Sequence, residues 1–166
     1  SPSDGSGIPN AACRAAFLEA GTYQFVQAIE FSKNVANYNS QAAVEAGVPD
    51  GSLCAAGDSS KSGIDVPHPD WPAQNITLNS AGEFEYRFYA STPHNPSFWK
   101  FYLSKPGFDP ATDTLTWADL ELVDEKSNVN VQTINGTRYY VMDVSLPTNR
   151  SGNAIFYTRW QREDVA

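Results

Sequence analysis

Two histidines, two cysteines and a scatter of carboxylates are the side chains in this 166-residue sequence that could do chemistry. His94 lies in Ser91-Thr-Pro-His-Asn-Pro-Ser-Phe-Trp, between Pro93 and Pro96, whose fixed φ angles stiffen the turn. A neutral imidazole held that way suits copper, zinc or iron. By itself, however, a lone loop histidine is more often a surface residue than a ligand. His68, in Val66-Pro-His-Pro-Asp-Trp, reads as a loop side chain beside Trp71. Cys13 and Cys54 lack the Cys-x-x-Cys spacing of a closed zinc site. They are open to two readings: a mutual bridge, which would stabilise by about 3–4 kcal/mol through loop closure, or two buried thiols. Asp65, Asp70, Asp109, Asp113, Asp119, Glu121, Asp124 and Glu125 are spread along the chain, and most of them read as solvated surface. A glycosidase needs two carboxyls facing one sugar, which spacing alone does not place. Nucleophile-elbow, P-loop, dinucleotide-binding and zincin patterns do not occur, so those enzyme classes lose their sequence support.

The elements that must position His94 follow from composition and period. The chain is 41% hydrophobic and 13% aromatic, enough for one ordinary core. Eleven basic residues against nineteen acidic ones leave a formal charge of −8. That disfavours nucleic acid and anionic membranes, which need a basic face. No apolar run approaches the roughly 20 residues of a membrane helix. From Asn10 to about Asn37 the pattern is helical. Asn10 can cap a helix carrying Ala12, Ala16, Phe17 and Ala20, Gly21 can stop it, and Thr22 can start a second helix with Phe25, Val26, Ile29 and Val35 on one face. Residues 39–74 are rich in Gly, Pro, Ser and Asp and read as an ordered loop system without a long regular element. Beyond them the period becomes two. Phe84, Tyr86, Phe88 and Ala90 share one face of a strand, and further strands are predicted at Ile76–Leu78, Phe98–Ser104, Leu120–Val123, Val129–Ile134, Arg138–Ser145 and Ala154–Trp160. Short strands with turn chemistry between them point to an antiparallel sandwich. The triplets at Asn75, Asn135 and Asn149 are glycosylation candidates and fit a secreted chain.

Several ordered segments resemble a known family. Ile8-Pro-Asn-Ala-Ala-Cys-Arg-Ala-Ala, Val48-Pro-Asp-Gly-Ser-Leu-Cys-Ala-Ala-Gly, Lys61-Ser-Gly-Ile-Asp and Asp70-Trp-Pro look like the helical insertion of the copper lytic polysaccharide monooxygenases of auxiliary-activity family ten, the group containing the fusolins and spindolins and the chitin-binding type-4 domains. His94-Asn-Pro-Ser-Phe-Trp-Lys-Phe-Tyr looks like that family's second-histidine segment, and Leu115-Thr-Trp-Ala-Asp-Leu and Tyr157-Thr-Arg-Trp-Gln-Arg-Glu-Asp match in order and type. The resemblance implies a mainly β protein: an immunoglobulin- or fibronectin-III-like antiparallel β-sandwich with a helical insertion near the N-terminus. It implies one domain over residues 1–166, the insertion at about 8–74 and the strands at about 75–166. It also implies oxidative cleavage of glycosidic bonds in crystalline polysaccharide, chitin in preference to cellulose, using copper, an external electron donor and O2 or H2O2. A secreted monomer without nucleic-acid or membrane partners is expected.

In this family a leading histidine and a second histidine together hold the copper, and His94 falls at the second position. Thr92 stands where the family commonly has Ala near an axial copper position, and Arg162 matches an arginine beside the site in several relatives. Tyr38 and Trp71 are the expected substrate-surface contacts. The sequence starts at Ser1, within what looks like the loop after the leading histidine, and stops at Ala166, before the family's closing segment; a fragment is therefore expected. The family pattern would pair Cys13 and Cys54 each with a cysteine outside the sequence. The alternative function is a noncatalytic chitin- or cellulose-binding sandwich.

Overall fold

A computed structural model describes residues 3–164 as two compact units. One takes the chain up to Ala73 together with Gly107–Asp119; the other takes Gln74–Pro106 and the chain from Leu120 onward.

The first unit is helical and looped. Asn10 caps α1 (Ala11–Ala20) by accepting the Cys13 N–H at 2.9 Å, and Gly21, at φ 77°, ends it, as the sequence predicts. The second predicted helix is a single turn, α2 (Tyr23–Val26), and Thr22 makes no side-chain cap. Its supposed apolar face is turned to solvent: Phe25, Val26 and Ile29 are 42%, 78% and 73% exposed. The cause is Gln24, which is buried in their place and donates its amide to the carbonyls of Ala16 (2.8 Å) and Gly21 (3.1 Å). Satisfying the carbonyl groups at the end of α1 thus draws in a polar side chain. Gly63 makes this possible, since a Cβ there would lie 2.3 Å from the Ala16 carbonyl oxygen. Beside it the ammonium of buried Lys61 donates to the Glu30 carbonyl and sits 5.3 Å and 4.8 Å from the ring centres of Tyr23 and Phe31. A buried cation needs such partners. Residues 39–74 also contain more regular structure than predicted. α3 (Gln41–Gly47) is capped by the Ser40 hydroxyl, and Ser59–Asp65 is a 3₁₀ helix whose first turn Asp58 caps. Both elements have only seven residues, too short to imprint a helical period on so polar a stretch.

The second unit is the predicted sandwich. Its strands are β1 (Glu83–Tyr89), β2 (Ser97–Ser104), β3 (Leu120–Ser127), β4 (Val131–Ile134), β5 (Thr137–Ser145) and β6 (Phe156–Arg162). They form two antiparallel sheets, β1-β5-β4 and β3-β2-β6. Phe84, Tyr86 and Phe88 of β1 face the other sheet, meeting Phe156 (5.4 Å), Phe101 (5.7 Å) and Trp99 (4.9 Å) between ring centres. Trp99, Phe101, Tyr140, Met142 and Val144 complete the core. Asn135 and Gly136, at φ 50° and 81°, make the tight β4–β5 turn. Two strand assignments need correction. Ile76–Leu78 joins no ladder and Ile76 is 43% exposed. β3 runs four residues beyond Val123, because Asp124–Ser127 continue to pair with β2 past a register shift at Phe101/Tyr102 despite their charge.

Candidate metal centre

His94 sits in the connection between β1 and β2, and the surrounding strands fasten that connection at several points. Ala90 N–H donates to the Arg138 carbonyl at 3.0 Å, and the Arg138 guanidinium donates to the Ser91 carbonyl at 3.2 Å. The hydroxyl of fully buried Tyr140 accepts the His94 N–H at 2.7 Å and donates to the His94 carbonyl at 3.1 Å. Beyond the histidine, the Asn95 amide donates to the Val129 carbonyl, the Asn95–Pro96 bond is cis, and Glu163 N–H donates to the Pro96 carbonyl. Trp160 of β6 backs the imidazole at 6.0 Å between ring centres. The ring is therefore held at the end of the sandwich, with 20% of its side chain exposed.

Electrostatics orient the ring further. His94 Nδ1 lies 2.7 Å from Asp164 Oδ2, and Asp164 Oδ1 accepts from Arg162 Nε at 3.1 Å. Arg162 first, and then His94, hold the Asp164 carboxyl below its ordinary pKa. With Nδ1 engaged by a carboxylate, Nε2 is the ring nitrogen left for another partner.

The structure thus brings His94 and Arg162 together through Asp164, while Thr92 is exposed on the same loop. Asn75, Asn135 and Asn149 are all exposed. Tyr38, Trp71, His68, Cys13 and Cys54 belong to the other unit. Trp71 is half-buried and donates its indole N–H to the Val66 carbonyl at 2.7 Å; Tyr38 is half-buried too. His68 Nδ1 accepts the Asp70 N–H at 3.0 Å, the local loop role expected of it. The bridge between Cys13 and Cys54 is not formed: both are free thiols. Burial, and then the neighbouring Asp65 carboxylate, push the Cys54 thiol up to about 12. Sequence reasoning missed Asp164, Tyr140 and Trp160 as neighbours of His94. Tyr140 is 46 residues away along the chain, and only the β1–β5 register, which sets it opposite Phe88 at the loop end of the sheet, brings it near.

This chain belongs to the family described as lytic polysaccharide mono-oxygenase, cellulose-degrading, which matches residues 1–166. It is 36% identical over 155 residues to the chitin-binding protein CbpD of Pseudomonas aeruginosa, a match covering 93% of this chain and 38% of that protein. Among solved structures, an entomopoxvirus fusolin in complex with zinc superposes with a TM-score of 0.84 at 28% identity, covering 99% of this chain and 65% of the fusolin. The cellulose-active enzyme CelS2 in complex with copper superposes with a TM-score of 0.72 at 32% identity, covering 94% of this chain and 78% of CelS2.

The donor chemistry on this chain fits a metal of that kind as one imidazole ligand, fixed in backbone and ring with Nε2 uncommitted. Among the described residues, no three His, Cys, Asp or Glu side chains gather into a group that could hold a metal ion. No helix among the described residues is long and apolar enough to cross a membrane.

Proposed function

We propose that this protein takes part in the copper-dependent oxidative cleavage of glycosidic bonds in crystalline polysaccharide, with chitin preferred over cellulose. The observation that carries this reading is the mounting of His94: a partly exposed imidazole at the sandwich end, with Nδ1 held by Asp164 and its backbone clamped by Tyr140. Neutral nitrogen donors suit copper in both of its oxidation states. Copper bound there supplies one-electron chemistry that lets O2 or H2O2, with an external electron donor, oxidise a glycosidic carbon. The residues of this chain hold the ring still, engage Nδ1 so that Nε2 is left for the metal, and pack the side behind the ring, where Trp160 and Trp99 stack with ring centres 5.4 Å apart.

Arg162 serves the site through Asp164, and Thr92 lies beside it on the loop. Tyr38 and Trp71 are proposed to contact the glycan, since aromatic rings pack on the apolar faces of pyranoses. The preference for chitin draws support from the chitin-binding relative. That relative's name also supports the second reading, a noncatalytic chitin-binding module. Secretion, action as a monomer, and glycosylation at Asn75, Asn135 and Asn149 belong to the same proposal; the three asparagines are exposed, as such modification requires.

The test is mass spectrometry of the soluble products released from chitin and from cellulose, with copper and a reductant present. Oxidised chito-oligomers in excess of oxidised cello-oligomers are expected. Binding to chitin without oxidised products from either polymer would favour the noncatalytic module.

A further inference from the structure

We propose that Asp164, clamped by Arg162, is a positioning residue that selects the Nδ1–H tautomer of His94 and so leaves the Nε2 lone pair free to take a metal. The inference rests on the reading of His94 as a metal donor, and it adds the group that makes it one. An ionised carboxylate can only accept, so the contact of 2.7 Å between Asp164 Oδ2 and His94 Nδ1 requires the hydrogen to be on Nδ1. A neutral imidazole carries one N–H, which leaves Nε2 as the acceptor nitrogen, the form a metal needs.

The carboxylate does not stand alone. Arg162 Nε donates to Oδ1 at 3.1 Å and its NH2 group reaches Oδ2 at 3.5 Å, so the guanidinium faces both oxygens. Arg162 is the last residue of β6, and its neighbour Glu163 donates its N–H to the Pro96 carbonyl. The chain carrying the carboxylate is thereby tied to the loop carrying the imidazole. Trp160 packs beside the ring at 6.0 Å between centres, and the Tyr140 hydroxyl fixes the His94 backbone from which the ring projects. Carboxylate–imidazole pairs of this sort orient metal-binding histidines generally, and losing the outer partner weakens metal affinity by roughly 10–100-fold.

The test uses ¹⁵N NMR of the imidazole nitrogens in the metal-free protein, with Cu(II) titration as a second readout. In the wild type, the Nδ1–H tautomer should dominate. Asp164→Ala should move the population toward the Nε2–H form that free histidine prefers, and should lower Cu(II) affinity by about tenfold. Asp164→Asn, whose carbonyl oxygen can still accept from Nδ1–H, should restore the tautomer and most of the affinity. Arg162→Ala should give an intermediate tautomer ratio. A dominant Nε2–H form in the wild type, or a tautomer ratio unchanged by Asp164→Ala, would overturn the proposal. Failure of the wild type to take up Cu(II) would instead count against the metal reading of His94, with the tautomer ratios still deciding the role of Asp164.

Discussion

Tyr140→Phe removes a single oxygen and should cost far more than a conservative change normally does. The Tyr140 side chain is fully buried, and its hydroxyl is the partner of both polar backbone groups of His94, accepting the N–H at 2.7 Å and donating to the carbonyl at 3.1 Å. The ring itself stays packed, with Trp99 at 5.2 Å and Trp160 at 5.5 Å between centres, so no cavity opens. The loss is therefore one of hydrogen bonding. Leaving a buried polar group unpaired costs about 1–3 kcal/mol; with the carbonyl able to turn partly to water, a total of about 2 kcal/mol is expected. In a chain of this length that corresponds to a fall of about 4–8 °C in Tm. Unfolding can be followed by tryptophan fluorescence in urea, to which Trp99 and Trp160 of this unit's core contribute, with Trp71 and Trp117 reporting on the other unit. Tyr140→Ala, which also empties the ring site, should cost about 3–5 kcal/mol and sets the scale. A Tyr140→Phe variant within about 0.5 kcal/mol of wild type, where neutral surface substitutions fall, would refute the claim that this hydroxyl fastens the His94 loop.

Two further predictions concern the first unit. Gly63→Ala should destabilise by about 1–3 kcal/mol through overpacking, because its Cβ would meet the Ala16 carbonyl oxygen at 2.3 Å and the Gln24 amide at 2.5 Å; urea titration measures this, and a neutral result would contradict the packing described. Asp65 accepts the N–H groups of Cys54 (2.8 Å) and Ala55 (3.1 Å), yet burial dominates and raises its carboxyl above the ordinary range. The folded state then binds that proton more tightly than the unfolded chain. This group's contribution is present below the unfolded carboxylate pKa and is lost as pH rises through the raised value. Stability against pH across the carboxylate range should therefore fall more steeply with rising pH in the wild type than in Asp65→Asn, and parallel curves would sink the assignment.

The sandwich was legible because its strands bury one face and leave a period of two, as in Phe84, Tyr86 and Phe88, with Asn135-Gly136 marking a hairpin. Alternation does not reveal how far a charged segment continues to pair, so the end of β3 was read short. The helical insertion was harder. α1 carries its own cap and stop, whereas the surroundings of α2 depend on Gln24, Lys61 and Gly63 meeting across residues distant in sequence, and apolarity alone pointed the wrong face inward. At the site, His94 stood out from its prolines and from family resemblance. Asp164 and Tyr140 did not, because a hydrogen bond between a loop and a strand end 46 or 70 residues away has no local sequence pattern.

The imidazole of His94 as a metal donor is tested most directly by electron paramagnetic resonance of the Cu(II)-loaded protein beside His94→Ala. Nitrogen hyperfine structure from an imidazole should be present in the wild type and reduced in the variant, with a large loss of Cu(II) affinity. Identical spectra and affinities for the two proteins would contradict it.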